Sequence, residues 1–75
     1  MRWRVNPHSG VPLYVQIEEQ VKTAIAAGVL EPGARLPTVR ELAVELTINP
    51  NTVARAYREL ERAGFIDTTP GRGTF

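Results

Sequence analysis

The chain has 75 residues, with nine basic and eight acidic side chains, one histidine and no cysteine. A chain of this length forms one small domain with a marginal core. The lack of cysteine excludes disulfides and thiolate metal sites, and His8 alone cannot form a zinc site. No apolar run approaches the ~20 residues of a membrane span, and the start lacks the apolar core of a signal peptide. The composition therefore predicts a cytoplasmic protein without cofactor or metal.

The first twelve residues are predicted to form an N-terminal arm. Pro7, Gly10 and Pro12 interrupt this segment and disfavour a long helix. Residues 2–5 are expected to form a short strand or a loose tail. The folded domain is expected to follow, over residues 13–75.

Two helices are predicted in the first half of this domain. The apolar residues Tyr14, Ile17, Val21 and Ile25 recur at steps of three and four, which indicates a helix over 13–27 that ends before Gly28. Thr38 is predicted to cap a second helix of about two turns, because Glu41 three residues later completes a capping box. The apolar face of the second helix consists of Val39, Leu42, Ala43 and Leu46.

A third helix is predicted over 50–63, with Asn49 as its N-cap and Pro50 at the first helical position. Gly64 ends it. The apolar face consists of Val53, Ala56, Tyr57 and Leu60, and Tyr57 is interpreted as a core residue rather than a ring that stacks on bases. The opposite face carries Asn51, Thr52, Arg55, Arg58 and Arg62.

A β-hairpin is predicted over 65–75. Residues 65–68 favour a strand, Pro70 and Gly71 suit a type II turn, and residues 74 and 75 would begin the return strand. Because the sequence stops inside this hairpin, further chain is expected to follow. The predicted fold is therefore mainly α with a small β-hairpin wing: a winged helix-turn-helix of three helices and a short antiparallel sheet.

In a helix-turn-helix, the second helix of the pair enters the DNA major groove. Asn51 and Thr52 lie in its first turn, closest to base edges, and Arg55 follows them, so these three are predicted to read sequence. The N-terminus of this helix is also expected to offer unpaired N–H groups to a phosphate, together with Asn49 and Thr52.

A second group of side chains is predicted to hold the DNA backbone. Arg40 on the second helix is expected to clamp a phosphate, and Arg58 lies further along the third helix. Arg72, between Gly71 and Gly73 in the wing, would lie along the backbone or enter a neighbouring minor groove.

Structural alternatives remain open for all these residues. Asn49 and Thr52 would serve equally well as ordinary capping groups. The three arginines of the third helix could pair with Glu59 and Glu61 on a solvated face, and Arg72 could be a simple turn residue. The functional interpretation depends on the coincidence of these features on one side of one predicted unit.

Residues 10–75 resemble the DNA-binding domain of the GntR family of bacterial transcription regulators. The resemblance lies in "PLYVQIEEQVKTAIAAGVLEPGARLPTVRELA", "INPNTVARAYRELERAGFI" and "GRGTF". Two segments, "PLYVQI" and "NPNTVARAYRELE", are most similar to the YtrA subfamily. The alternative is the MocR subfamily, which shares "PLY", "AY" and "GTF" and carries a pyridoxal-phosphate aminotransferase-like domain.

The resemblance implies a non-enzymatic regulator, usually a repressor, that binds an inverted-repeat operator as a homodimer and responds to an effector that the sequence does not identify. The dimerisation or effector region would follow residue 75. The positions that match the family's DNA contacts are Thr38, Arg40, Asn49, Asn51, Thr52, Arg55, Arg58, Gly71, Arg72 and Gly73. A protein-docking module, in which the same arginines meet an acidic partner, is the other hypothesis.

Three positions depart from the family's pattern. Pro50 and Ala54 stand where many members place hydrogen-bonding side chains, so two commonly used contacts are absent. Thr47 occupies a turn position usually held by glycine. A β-branched residue in the left-handed conformation would be strained by ~1 kcal/mol or more, so we expect this turn to have relaxed.

Overall fold

The protein is represented by a computed structural model that describes residues 2–31, 33–69 and 73–74. The helices of this part of the chain are α1 (Leu13–Ala26), α2 (Val39–Leu46) and α3 (Pro50–Arg62). Two short strands follow, β1 (Thr68–Thr69) and β2 (Gly73–Thr74). The predicted mainly helical fold is confirmed, and α3 packs against both other helices.

The core forms where the apolar faces of the three helices meet. Its largest fully buried side chains are Ile17, Val21, Leu42, Val53 and Leu60. Leu36 and Ile66 join this core from the segments on either side of the α2–α3 pair. Burying an aliphatic side chain of this size contributes about 1.5–3 kcal/mol, so these contacts fix the angle at which α3 presents its outer face.

The predicted N-caps of α2 and α3 are confirmed. The Thr38 hydroxyl accepts a hydrogen bond of 3.1 Å from the Glu41 N–H, and the Glu41 carboxylate accepts one of 2.8 Å from the Thr38 N–H. At α3, Asn49 Oδ1 accepts the Asn51 N–H at 2.8 Å, with Pro50 at the first helical position. Side chains therefore satisfy backbone donors that each helix start leaves free.

All three helices end with a residue of positive φ, namely Gly28, Thr47 and Gly64. Thr47 has φ 55° and ψ 49°, so the expectation of a relaxed turn is wrong. The reason lies in the hydrogen bonds: the Thr47 N–H reaches Val44 O at 3.2 Å and the Ile48 N–H reaches Ala43 O at 3.0 Å. This is a Schellman motif, which requires the left-handed conformation at Thr47 whatever its side chain.

The N-terminal arm lies along α1, held by two glutamines of that helix. The Gln16 carboxamide accepts the Asn6 N–H at 2.7 Å and donates to acceptors of Asn6, Ser9 and Val11 at 2.8–2.9 Å. Gln20 accepts the Arg4 N–H at 3.0 Å and donates back to the Arg4 carbonyl. Because Trp3 and Val5 also pack against the core, the loose-tail interpretation is wrong for this segment.

The two strands pair antiparallel, with Thr68 opposite Thr74 and Thr69 opposite Gly73. The first strand begins later than predicted, because the Phe65 N–H closes the end of α3 on Leu60 O at 2.9 Å and Ile66 is anchored in the core. The turn predicted at Pro70 and Gly71 lies outside the described residues. The wing as a whole therefore stays a prediction.

Candidate nucleic-acid interface

The outer face of α3 is polar along its whole length. Successive residues of a helix are 100° apart, so the buried positions 53, 56, 57 and 60 define one side and leave the other to solvent. Asn51, Arg55 and Arg58 are exposed on that opposite side, and Thr52 is half-buried at its edge. The structure thus places these four predicted contact residues on one surface or its margin.

The backbone at the start of α3 offers fewer donors than the sequence suggested. Pro50 has no N–H, the Asn51 N–H is bound by Asn49 Oδ1, and the Thr52 N–H donates to Asn49 O at 3.0 Å. The expected unpaired N–H groups are therefore not available at these positions. Side chains must therefore supply the hydrogen bonds to DNA here. The Asn49 side chain can still donate through its NH₂ group, because its Oδ1 atom is the one that accepts the Asn51 N–H.

Arg40 lies beside the start of α3, although it precedes Asn49 by nine positions in the sequence. Both residues line one shallow groove together with Val44, Thr47 and Pro50. Val44 is 80% exposed there, an apolar surface residue that the sequence analysis did not single out. Helical spacing alone could have found Val44, because it lies off the apolar face of α2. The groove joins the two helices into one continuous surface.

Thr38, the predicted contact at the start of α2, is engaged in the capping box. Hydrogen bonds to the Glu41 carboxylate lower the pKa of that group below its usual range. The largest effect comes from the Thr38 N–H, and the next largest from the Thr38 side chain. An ionised carboxylate only accepts hydrogen bonds, so the N–H and the hydroxyl of Thr38 both donate to Glu41. Thr38 therefore acts here as a cap whose donors are both engaged within the capping box.

Arg55 contacts α1 rather than a neighbour on its own helix. Its guanidinium carbon lies 3.9 Å from the centre of the Tyr14 ring, and its Nη2 donates a hydrogen bond of 3.2 Å to the Tyr14 hydroxyl. From the sequence, Tyr14 is predicted only as a member of the apolar stripe of α1, and no local signal indicates this contact. Only the packing of α1 on α3 brings together residues 41 positions apart.

The ion-pair alternative holds for one arginine of α3. Arg62 pairs with Glu59, with 2.5 Å between Nη2 and Oε2, on a solvated part of the helix. Arg58, one turn earlier, forms no ion pair within the described residues. The arginines of α3 thus differ: Arg62 is paired, Arg55 is stacked, and Arg58 extends from the exposed face.

The wing contacts are only partly covered by the described residues. Gly71 and Arg72 lie outside them, and Gly73 is the first residue of β2. Within the described segments, no three His, Cys, Asp or Glu side chains cluster closely enough to hold a metal ion. In the same part of the chain, no helix has the length and apolar character that a membrane crossing requires.

A model of the gntR family of bacterial regulatory proteins matches residues 13–75. The chain belongs to this family. The YtrA repressor of Bacillus subtilis (strain 168) is 50% identical over 72 residues, which are 96% of this chain and 55% of that protein. The transcriptional regulator Rv1152 of Mycobacterium tuberculosis is 53% identical over 72 residues, which are 96% of this chain and 60% of that protein. The chain thus spans little more than half the length of these two relatives.

Solved GntR-type structures share the fold. YtrA from Sulfolobus acidocaldarius, a GntR-family transcription factor, superposes with a TM-score of 0.86 at 41% identity, covering 93% of this chain and 73% of that one. The DNA-binding domain of AraR in complex with operator ORX1 gives a TM-score of 0.85 at 27% identity, covering 97% and 93%. In that neighbour, a domain of this shape is bound to DNA.

Proposed function

We propose that this chain is the DNA-binding domain of a transcriptional repressor that recognises an operator through the outer face of α3. One observation carries the proposal: the exposed side of α3 bears Asn51, Arg55 and Arg58 directly opposite a stripe of buried side chains. A rigid helix with hydrogen-bonding groups along one side fits the major groove. The repressor relative from B. subtilis and the operator complex of AraR support this assignment.

Within this surface we assign base reading to the first turns of α3. Asn51 and Thr52 carry short side chains whose donors and acceptors match those of base edges. Arg55 carries a planar guanidinium group that can donate two parallel hydrogen bonds to guanine O6 and N7. Arg40 reaches the same surface across the groove that it shares with Asn49. Its position at the edge favours a phosphate contact, as does that of Arg58 further along the helix.

The hairpin that starts with β1 and β2 is proposed to act as a wing. Thr69 pairs with Gly73 in this hairpin. Arg72, which stands between Gly71 and Gly73 in the sequence, would approach the DNA backbone or an adjacent minor groove. Asn49, whose side-chain NH₂ group stays available after capping, would add a phosphate contact. Thr38 would add another when its hydroxyl turns from Glu41 to a phosphate oxygen.

We further propose that the full-length protein binds as a homodimer. One copy of this domain would contact one half-site, and phosphate contacts alone give affinities of roughly 10⁻⁴ to 10⁻⁶ M at physiological salt. Two copies with recognition helices about 34 Å apart would fit successive major grooves. An inverted repeat is the operator symmetry that such a dimer requires.

The test is selection of random duplex DNA by the full-length protein, followed by titration of the enriched duplex at several salt concentrations. We expect an inverted repeat and a steep decrease of affinity with salt, of roughly 0.9 log units per log unit of salt for each phosphate contact. A folded, dimeric protein that enriches no sequence and barely binds duplex DNA would contradict the proposal. That result would favour the docking module.

A further inference from the structure

Arg55 is the one predicted base-reading side chain that a second helix holds in place. The guanidinium carbon of Arg55 lies over the Tyr14 ring, 3.9 Å from its centre, and Nη2 donates to the Tyr14 hydroxyl at 3.2 Å. Tyr14 is half-buried in the first turn of α1 and packs against the core. A side chain anchored in the core therefore orients a side chain on the exposed face of α3.

Stacking leaves most of the hydrogen-bonding capacity of Arg55 free. A guanidinium group has five N–H donors in its plane, and a ring beneath it occupies the face rather than the edge. The tyrosine hydroxyl takes one donor. The remaining edge can still meet a guanine or a phosphate oxygen on DNA.

A free arginine side chain loses conformational entropy when a complex immobilises it, at a cost of roughly 0.5–1.5 kcal/mol. An arginine that is already stacked in the free protein loses less. The acidic residue one turn further along α3 does not hold Arg55, because Glu59 is paired with Arg62. Tyr14 is therefore the group that restricts the Arg55 guanidinium before DNA arrives.

We propose that Tyr14 is a positioning residue of the DNA interface, which holds the Arg55 guanidinium ready to donate to the operator. The proposal rests on the function proposed above. It adds a residue of α1 to a surface otherwise built from α2, α3 and the hairpin. It also predicts that Tyr14 acts only through Arg55.

A double-mutant cycle on the full-length protein and its selected duplex tests this coupling. Tyr14→Leu should weaken binding about 2- to 5-fold, the range expected for an exposed cation–π contact. In the Arg55→Ala background the same change should have almost no effect. Tyr14→Phe keeps the ring and should restore binding to within about 2-fold of wild type.

Two further measurements separate positioning from a merely structural role. The Tyr14→Leu change should leave the salt dependence of binding unchanged, since no charge is lost. In the free protein, NMR should show Arg55 side-chain protons shifted upfield by the ring in wild type and Tyr14→Phe, and not in Tyr14→Leu. Phe65→Leu is the matched control, because it removes a second cation–π contact of the described residues, Lys22 over Phe65 at 5.3 Å, without touching Arg55.

Three outcomes would overturn the proposal. If Tyr14→Leu lowers the affinity for the selected duplex equally in the wild type and in the Arg55→Ala background, Tyr14 only supports the fold. If Tyr14→Leu binds the duplex more tightly than the wild type, Tyr14 shields Arg55 from DNA. Absence of the upfield shift in the wild type would mean that the contact is not held in solution. Thermal unfolding is followed for each variant, and Tyr14→Met replaces Tyr14→Leu if the latter unfolds. A wild-type protein that selects no duplex contradicts the proposed function instead.

Discussion

The Tyr57 hydroxyl on α3 donates a hydrogen bond of 2.7 Å to the carbonyl oxygen of Pro37, the residue before the N-cap of α2. Tyr57 is 4% exposed, so its assignment to the core is confirmed. Burial, followed by the nearby carboxylates of Glu41 and Glu45, raises the pKa of this phenol, which keeps the donating proton in place. The bond ties the start of one helix of the pair to the middle of the other.

Tyr57→Phe should lower the free energy of unfolding by about 1–2 kcal/mol, because it leaves the Pro37 carbonyl without its partner at a partly buried site. Urea unfolding followed by circular dichroism measures this change. Tyr14→Phe, which removes a hydroxyl from the surface, should cost less than about 0.5 kcal/mol. Equal costs for the two variants would show that the Pro37 bond contributes little.

Thr47→Gly should raise the free energy of unfolding by about 1 kcal/mol. Thr47 adopts the left-handed conformation that costs a β-branched residue about 1–2 kcal/mol, and glycine removes that strain while adding some freedom to the unfolded chain. Gly64 has φ 86° at the matching position of α3, so Gly64→Ala should have the opposite effect of similar size. A destabilised Thr47→Gly variant would mean that the threonine side chain makes compensating contacts.

The capping box of α2 should make stability depend on pH. The pKa of Glu41 is lowered in the folded protein from its ordinary value of 4.5, so its contribution is complete above that pH and is lost as the pH falls through the lowered folded value. Glu41→Gln should therefore flatten the acid side of the stability profile, measured by urea unfolding from pH 6 downwards. Glu45→Gln, an exposed change outside the capping box, should keep the wild-type profile.

Gln16→Ala should release the N-terminal arm from α1. The change removes hydrogen bonds to Asn6, Ser9 and Val11 that no other described side chain replaces. Trp3, the single tryptophan, is half-buried and reports on the arm. Its emission should shift to longer wavelength, and amide exchange across residues 4–11 should accelerate. Glu19→Ala, an exposed change on the same helix, is the control that should leave both signals unchanged.

Local signals made the helices predictable, and tertiary contacts explain what was missed. The caps at Thr38 and Asn49 depend on residues two or three positions away, which a sequence displays directly. The Tyr14 contact with Arg55 spans 41 positions and exists only because α1 packs on α3. For Thr47, the side-chain preference was known but the two hydrogen bonds that override it were not. The role of each contact residue in DNA binding stays a prediction.

Arg40→Ala and Asn51→Ala should separate holding the DNA from reading it. Loss of Arg40 should weaken binding to the selected and to a scrambled duplex alike, because a phosphate contact carries no sequence information. It should also reduce the slope of log affinity against log salt concentration by about one per protomer. Loss of Asn51 should cost about 1–3 kcal/mol on the selected duplex only, with little change in salt slope, because a base contact is lost.

Arg62→Ala is the matched control for these two variants, since it removes an arginine of α3 that is already paired with Glu59. Because Arg62 is not a predicted DNA contact, its loss should change the affinity for either duplex by less than about 2-fold, and loss of an exposed ion pair should alter stability little. Binding is measured by fluorescence anisotropy at several salt concentrations. If Arg40→Ala and Asn51→Ala reduce binding to the selected and scrambled duplexes by the same factor, the surface recognises the DNA backbone alone. Sequence recognition would then have to lie in the hairpin.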